Sequence, residues 1–351
     1  MKTIKVNTGA GYDVLIGQHL LYDCGTLLRE RIPLCRAAVI TDSNVEKQYL
    51  KTVLGSLSSA GFQPFSYVFP AGEPSKNMTT LSNLLEFLAE NGLTRSDMIV
   101  ALGGGVAGDL SGFAAGCYMR GVRFVQLPTT LLAAVDSSVG GKTAVDLAAG
   151  KNLAGVFLQP SAVLYDTCTL DTLPEQELKS GLAETIKTAV LTGGQLFSAF
   201  EAQSTDMETV IAQCVAYKGG VVERDAFEKG ERKLLNLGHT VCHAIEVLSG
   251  YAIPHGLAVA SGLAIIARAS ARLGWCSEDT TRRIICILQN YALPTSTPYG
   301  AGQLTGAALR DKKRSGDMIM LAIPKEIGGC TLKVVPISQL ESIIAAGLEA
   351  L

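Results

Sequence analysis

Two kinds of sequence pattern follow one another along this chain. Through about residue 150, short apolar runs alternate with segments of helical spacing. Alternation of strands and helices predicts an open parallel sheet that is covered by helices on both faces. The predicted strands are Lys2–Val6, Asp13–Ile16, Ala37–Thr41, Ser66–Phe69, Met98–Ala101 and Phe124–Leu127, and the predicted helices between them are Val45–Leu57 and Leu81–Asn91.

After about Pro174 the chain becomes mainly helical in pattern, and a small hairpin is predicted near its end. We therefore predict an α/β domain followed by a mainly α-helical domain, with the boundary near 160–173. The predicted helices are Glu175–Leu191, Met207–Val222, Arg232–Leu248, Leu257–Leu273 and Thr280–Gln289, and the hairpin strands are Met318–Ile323 and Cys330–Val335.

Composition narrows the class of protein. The chain has 351 residues, of which 48% are hydrophobic and 18% charged, enough for a sizeable core. A net charge of −2 gives no overall field that favours nucleic acid. The nine cysteines are odd in number and form no C-x-x-C pair, which indicates a reducing cytoplasm. We expect neither a signal peptide nor a membrane span.

Three of the four histidines lie close together in the sequence. His239 and His243 are four residues apart, a spacing that puts both on one face of a helix. His255 follows after a Gly-Tyr-Ala-Ile-Pro break. A polar helix face with two incidental histidines is the alternative, but the third histidine favours a divalent metal site, because imidazole nitrogen suits such ions. Cys242 is expected to lie in the core.

A glycine-rich turn follows one predicted strand. The segment around Gly103–Gly105 and Gly108 stands at the head of a predicted helix, where backbone N–H groups can approach a pyrophosphate. The pattern departs from G-x-G-x-x-G, so a plain tight turn stays open as an alternative. Asp42 ends another strand and is a candidate to hold a ribose.

A second glycine-containing segment, residues 136–143, superficially resembles a P-loop. It has Asp136 where that motif needs glycine, and it follows an apparent helix rather than a strand, so we reject the NTPase interpretation. Lys142 and Lys151 remain candidate anion contacts, with ordinary solvated lysines as the alternative.

The helical half carries a carboxylate and many cations. Glu184 and Lys187 are three residues apart on one predicted helix face. Carboxylate is a natural third protein ligand beside two histidines, although helix glutamates are usually only solvated. Arg232 and Asn236 are predicted to share the face of the histidine pair. Lys218 and the run Lys312, Lys313 and Arg314 add further cations, some of which we expect to converge on an acidic substrate.

Taken together, the motifs resemble the 3-dehydroquinate synthase family of the sugar phosphate cyclases along nearly the whole chain. They occur in the order GEPSK, GGGVAGDLSGF, YMRGVRFVQLPTTLLAAVDSSVGGKT, GKN, DTCTLDTLP, GLAETIK, LNLGHT, HAIE, HG and DKKRSGD. The resemblance implies a Rossmann-like NAD-binding α/β domain over residues 1–160. It also implies a mainly α-helical domain over residues 161–351 that binds metal and substrate.

The resemblance also implies a set of site residues. The metal ligands are Glu184, His239 and His255, for Zn²⁺ or Co²⁺, and His243 is a candidate for proton transfer. The NAD contacts are Asp42, Gly72, Glu73, Lys76, Gly105, Val106, Ala107, Gly108, Asp109, Thr129, Thr130, Lys142, Lys151, Thr169, Leu170, Asp171 and Thr172. The substrate contacts are Lys142, Asn152, Lys187, Lys218, Arg232, Asn236 and Lys312 or Lys313. Asp136 and Arg120 complete the set, with Arg120 reaching into a partner's site in a homodimer.

The implied reaction converts 3-deoxy-D-arabino-heptulosonate 7-phosphate into 3-dehydroquinate and phosphate, in the shikimate pathway to chorismate and the aromatic amino acids. It runs by transient oxidation with NAD, phosphate elimination, re-reduction and intramolecular aldol closure. We therefore expect a cytoplasmic carbon–oxygen lyase that acts on a small molecule. We expect it to bind neither nucleic acid nor membranes.

Several departures from the family pattern bear on alternative functions. Asp225-Ala226-Phe227-Glu228 replaces the frequent D-E-R-E, Leu257 replaces a glutamate, and Cys242 replaces a glycine. Related cyclases that act on an amino analogue, or that make an inosose or valiolone, are alternatives. So are a metal-dependent polyol dehydrogenase, which needs no cluster of anion-binding lysines, and a non-catalytic dinucleotide sensor, which should have lost metal ligands or His243.

Overall fold

The computed structural model describes residues 1–309 and 314–349. The chain divides into two compact units. The first comprises Met1–Leu173 with Lys218–Ala226, and the second comprises Pro174–Tyr217 with Phe227–Leu351. The functional division at residue 160 stays a prediction. Among the described helices, none combines the length and apolar character needed to cross a membrane.

The first unit contains a seven-stranded sheet, and all its neighbouring strands pair in parallel except the antiparallel β1–β2 pair. The strand order is β1-β2-β9-β6-β5-β3-β4. A separate antiparallel hairpin consists of β7 and β8. The strands are β1 (Lys2–Val6), β2 (Tyr12–Gly17), β3 (Arg36–Asp42), β4 (Gln63–Phe69), β5 (Met98–Gly103), β6 (Arg123–Pro128), β7 (Lys142–Leu147), β8 (Gly150–Phe157) and β9 (Ala162–Asp166).

Helices cover both faces of this sheet, as predicted. One apolar cluster joins alternate residues of the central strands to α1 (Leu20–Arg29) and α2 (Lys51–Ser59). A second cluster joins the intervening residues to α3 (Met78–Glu90) and α4 (Gly105–Cys117). Successive side chains of a strand point to opposite faces of the sheet, so each central strand contributes residues to both clusters.

The six predicted strands of the first unit are confirmed, five of them with two or three extra residues. The predicted helix Val45–Leu57 forms a π-helical turn, Glu46–Leu50, followed by α2. The sequence reasoning missed α1, the β7–β8 hairpin and β9. Within the hairpin, β8 contains no buried residue, so it lacks the alternation of buried and exposed positions that marks a half-buried strand.

The second unit is mainly helical and also carries a three-stranded antiparallel sheet, β10-β11-β12, which includes the predicted hairpin. Ser277 caps one helix by accepting a hydrogen bond from the backbone N–H of Thr280. The remaining elements of the chain are α5 (Glu175–Thr192), α6 (Gly194–Glu201), α7 (Met207–Arg224), α8 (His239–Leu248), α9 (His255–Arg272), α10 (Glu278–Asn290), α11 (Ala301–Ala308), β10 (Arg314–Ser315), β11 (Met318–Glu326), β12 (Gly329–Pro336) and α12 (Leu340–Leu348).

The predicted continuous helix Arg232–Leu248 is wrong. Glu231–Asn236 forms a 3₁₀ turn, and α8 begins only at His239. Gly238 separates them with a φ of 78° and packs against α9, where an added Cβ would lie 2.7 Å from the backbone nitrogen of Leu263. A left-handed residue in so tight a contact interrupts the helix. Arg232 and Asn236 therefore do not continue the helical face of the histidine pair.

Candidate functional site

In the first unit, the residues predicted to contact NAD follow the carboxyl ends of neighbouring parallel strands. Asp42 ends β3, the Gly103–Gly105 turn joins β5 to α4, and Thr129 and Thr130 follow β6. From β3 the chain adds β4 on one side and β5 on the other, so the strand order reverses between β3 and β5. Open parallel sheets bind ligands at the carboxyl ends of strands beside such a reversal.

Hydrogen bonds with the backbone fix the local conformation around these residues. The Asp42 carboxylate accepts hydrogen bonds from the backbone N–H groups of Asn44 and Val45, at 2.8 and 3.1 Å. The backbone N–H of Thr129 donates to the Gly103 carbonyl at 3.0 Å. Because α4 begins at Gly105, its unpaired N-terminal N–H groups and its dipole favour a phosphate there.

A charged cluster around Lys76 lies in the same unit. The buried ammonium contacts Glu73 at 3.1 Å, Asp109 at 3.3 Å and Asp146 at 3.8 Å, and it donates to the Asn152 side chain at 2.8 Å. Burial raises the pKa of Asp109 to about 6, against the lowering effect of Lys76. The same three carboxylates overcome the burial of Lys76 and raise its pKa.

Asp146 is a member of this cluster that the sequence reasoning missed. Its carboxylate accepts a hydrogen bond of 2.8 Å from the backbone N–H of Asn152, which has a φ of 54°. The contact joins the end of β7 to the start of β8, which carries Lys151 and Asn152. Lys151 pairs with Glu73 at 3.4 Å, whereas Lys142 lies exposed at the start of β7.

Two further predicted residues of the first unit, Lys218 and Asp136, form an ion pair. The Lys218 ammonium donates to the carboxylate of Asp136 at 2.7 Å and to its carbonyl at 2.6 Å. Asp136 belongs to the π-helical segment Ala133–Ser137, and Lys142 then opens a strand rather than a helix. Residues 136–143 therefore lack the loop-to-helix geometry of a P-loop. This agrees with the rejection of the NTPase interpretation.

The other members of the predicted NAD set follow β4 and β9. Glu73 and Lys76 lie in and beside a 3₁₀ turn after Gly72, and Thr169, Leu170, Asp171 and Thr172 lie in the 3₁₀ turn Thr167–Thr172. Val106 and Ala107 lie in the first turn of α4. Arg120 is exposed, in a left-handed turn.

In the second unit, three residues from three helices converge. The Oε1 atom of Glu184, in α5, lies 3.2 Å from Nε2 of His255 and 3.5 Å from Nε2 of His239. His239 begins α8 and His255 begins α9. One ligand atom from each of the three lies within 4.8 Å of the other two.

The spacing of these atoms fits a tetrahedral metal site. Zinc bonds of about 2.0–2.2 Å at tetrahedral angles separate neighbouring ligand atoms by about 3.3–3.6 Å. The two carboxylate–imidazole distances of 3.2 and 3.5 Å are close to that range. Two imidazoles and one carboxylate are also the donor set of an open, catalytic type of zinc site.

The charge of Glu184 favours a cation in this group. Burial raises the pKa of Glu184, but the Lys187 charge and the His255 hydrogen bond outweigh burial and lower it to about 2. Glu184 is thus ionised at neutral pH. Its Oε2 atom lies 2.5 Å from the buried Lys187 ammonium, which leaves Oε1 turned toward the histidines.

His243 lies beside this group rather than in it. Its ring centre is 5.5 Å from that of His239 and 6.4 Å from that of His255. The initial sequence hypothesis of a three-histidine site therefore differs from the cluster that forms. Cys242 is buried, as expected for a core residue, yet its sulfur lies 3.8 Å from Nδ1 of His255.

Among the described residues of the second unit, the remaining predicted substrate contacts, Arg232 and Asn236, are polar side chains in buried and partly buried positions. Arg232 is only 2% exposed despite its charge. The Asn236 side chain donates to the carboxylate of Glu228 at 2.6 Å. Lys312 and Lys313 lie outside the described residues, and the side chain of Arg314 is not described.

Comparisons with known proteins agree across the chain. Residues 66–180 match the family model described as 3-dehydroquinate synthase N-terminal, and residues 181–314 match 3-dehydroquinate synthase C-terminal. A 3-dehydroquinate synthase of Pelobacter propionicus is 42% identical, over 99% of this chain and 100% of the relative. One of Desulforamulus reducens is 43% identical, over 93% and 95%.

A solved structure extends the comparison. A 2-deoxy-scyllo-inosose synthase complexed with carbaglucose-6-phosphate, NAD⁺ and Co²⁺ superposes with a TM-score of 0.90 at 26% identity, over 99% of this chain and 100% of the other. The matched family models span both units, and the identities hold over nearly full lengths. On this evidence, the chain belongs to the 3-dehydroquinate synthase family.

Proposed function

We propose that this chain converts 3-deoxy-D-arabino-heptulosonate 7-phosphate into 3-dehydroquinate and phosphate, as a step of the shikimate pathway. The observation that carries the proposal is the group of an ionised Glu184 and two imidazole nitrogens within 3.5 Å of its Oε1. Full-length identity of 42% to a 3-dehydroquinate synthase supports the choice of substrate.

We assign the metal and the dinucleotide to separate residue sets. Glu184, His239 and His255 would hold Zn²⁺ or Co²⁺. The residues after strands β3, β4, β5, β6 and β9, together with Lys142 and Lys151, would hold NAD. When bound, the metal supplies a Lewis acid for a substrate hydroxyl, and NAD supplies a reversible acceptor of hydride. The Co²⁺ and NAD⁺ of the inosose synthase complex support this pair of cofactors.

The protein's own residues bind and orient the substrate. Lys187, Lys218, Arg232, Asn236 and Asn152 are assigned to its carboxylate, phosphate and hydroxyl groups, together with Lys142 and a lysine of the 312–313 pair. Buried cations such as Lys187 and Arg232 are well suited to this role, because an anion contacted away from water gains more electrostatic energy. Much of the catalysis is then positioning.

His243 is assigned to proton transfer. It lies partly buried one helical turn from His239, so a hydroxyl near the metal group is within reach of its ring. Phosphate leaves by elimination once a neighbouring carbon has lost its proton. The overall change is therefore that of a carbon–oxygen lyase, with NAD regenerated in each cycle.

We further propose a cytoplasmic homodimer. Met119, Arg120 and Gly121 have φ values of 48°, 65° and 118°, three successive left-handed residues. Such strain costs about 1–3 kcal/mol for a non-glycine residue, and strained residues cluster at functional sites. The exposed Met119 and Arg120 support the assignment of this turn to a partner contact.

The test is incubation of the full chain with the heptulosonate phosphate, NAD and zinc. We expect equal amounts of phosphate and 3-dehydroquinate with no net NADH, and loss of both on chelation. A hexose phosphate tests for an inosose-forming cyclase, and the amino analogue of the heptulosonate phosphate tests the other cyclase alternative. Glycerol tests for a polyol dehydrogenase, which would accumulate NADH. Turnover that survives chelation would contradict the metal assignment.

A further inference from the structure

Each ring of the two candidate metal-binding histidines has one nitrogen directed to Glu184 and the other held by a different acceptor. Nδ1 of His239 lies 3.2 Å from the Leu237 carbonyl oxygen. Nδ1 of His255 lies 3.4 Å from Oε1 of Glu246. In both rings this leaves Nε2 as the nitrogen that faces Glu184.

Glu246 reaches His255 from the same helix that carries His239. His239, Cys242 and Glu246 occupy positions i, i+3 and i+7 of α8, which lie along one face of a helix. Glu246 is only 4% exposed. Its Oε2 atom lies 3.8 Å from the Cys242 sulfur, and that sulfur lies 3.8 Å from Nδ1 of His255.

A buried carboxylate needs a compensating partner, because removing its charge from water is unfavourable. The His255 N–H provides one. In return, a carboxylate that accepts from Nδ1 fixes the tautomer and orientation of the ring and raises the basicity of Nε2. The sequence reasoning left Glu246 unassigned.

We propose that Glu246 is a positioning residue for the metal site: it accepts the Nδ1 proton of His255 and so directs Nε2 to the metal. The inference rests on the proposed metal assignment of Glu184, His239 and His255. Cys242 packs beside the contact and is assigned no part in holding the ring.

The test measures zinc affinity of the metal-free full chain by competition with a chromophoric chelator. Loss of an outer carboxylate partner typically weakens metal binding 10–100-fold. We expect Glu246→Ala to weaken zinc binding by about 100-fold. Glu246→Gln, which keeps the shape and a neutral acceptor, should weaken it by about tenfold. Cys242→Ala serves as the matched control and should stay within about threefold of the parent.

A spectroscopic readout separates orientation of the ligand from general loss of structure. The visible absorption of the Co²⁺-loaded protein should change in Glu246→Gln while far-ultraviolet circular dichroism stays that of the parent. Binding by both Glu246 variants within threefold of the parent would overturn the inference while leaving the metal assignment intact. A parent chain that binds no zinc would instead overturn the proposed metal site.

Discussion

The hydrogen bond from the backbone N–H of Gly256 to the side-chain oxygen of Ser180, at 3.0 Å, joins the helix of one candidate metal ligand to the helix of another. Ser180 precedes Glu184 by one turn of α5, and Gly256 follows His255 in α9. A Cβ added at Gly256 would lie 2.0 Å from the Ser180 carbonyl oxygen. The approach of Glu184 to His255 therefore depends on the absence of a side chain at Gly256.

Gly256→Ala should weaken zinc binding although it removes no ligand. The new methyl group meets backbone atoms that cannot rotate away, so α9 must move from α5 and carry His255 with it. We expect zinc affinity to fall at least about tenfold, comparable with loss of an outer-sphere partner. Gly306→Ala, in α11, is the matched control, because its Cβ meets no atom within 4 Å and its backbone is not left-handed. Equal affinities in the two variants would contradict the argument.

His243→Ala should lower turnover without weakening zinc binding. The residue lies outside the three-ligand group, so zinc affinity should stay within about threefold of the parent. Loss of a positioned proton-transfer group lowers turnover by about 10²–10⁴-fold. Phosphate release at saturating substrate measures the loss, and chelator competition measures the affinity. A loss of zinc binding as large as that of His255→Ala would show that His243 is a ligand.

Asp109→Asn should alter the pH dependence of stability in the ligand-free protein. With a pKa raised from 3.8 to about 6, the folded state retains the Asp109 proton when the unfolded chain has lost it. The parent therefore loses stability as pH rises from about 4 to 6, and the asparagine variant escapes this loss. The stability difference in favour of the variant should grow over that window by up to roughly 3 kcal/mol.

Urea denaturation at intervals from pH 4.5 to pH 8 measures this difference. The substitution also removes one carboxylate partner of Lys76, which adds an offset to the free energy of unfolding of the variant. Glu73 and Asp146 remain beside the ammonium. The test is therefore the slope rather than the absolute value. A difference between variant and parent that is flat, or that shrinks as pH rises, would contradict the raised pKa of Asp109.

The sequence predicted the α/β sheet and the long helices because their apolar periodicity is strong. It failed where tertiary contacts override local pattern. Gly238 interrupts a helix that periodicity would continue, because a tight contact with α9 requires a residue without a side chain. Nothing local to the sequence marks that contact.

The residues alone indicated a metal site, but the ligand set of Glu184, His239 and His255, without His243, came only from the family resemblance. The histidine spacing alone favoured His243 as a ligand, and Glu184 is indistinguishable by pattern from a solvated helix glutamate. Glu246 and Asp146 were missed for the same reason: their roles come from contacts that form only in the folded chain, those of Glu246 with His255 and of Asp146 with Lys76.

Anomalous X-ray scattering at the zinc edge tests the central claim most directly, on crystals of the zinc-loaded chain. We predict one strong peak about 2.0–2.2 Å from Glu184 Oε1, His239 Nε2 and His255 Nε2. A peak instead on the opposite side of the His255 ring, among Nδ1, Cys242 and Glu246, would contradict it, as would the lack of any peak beside Glu184.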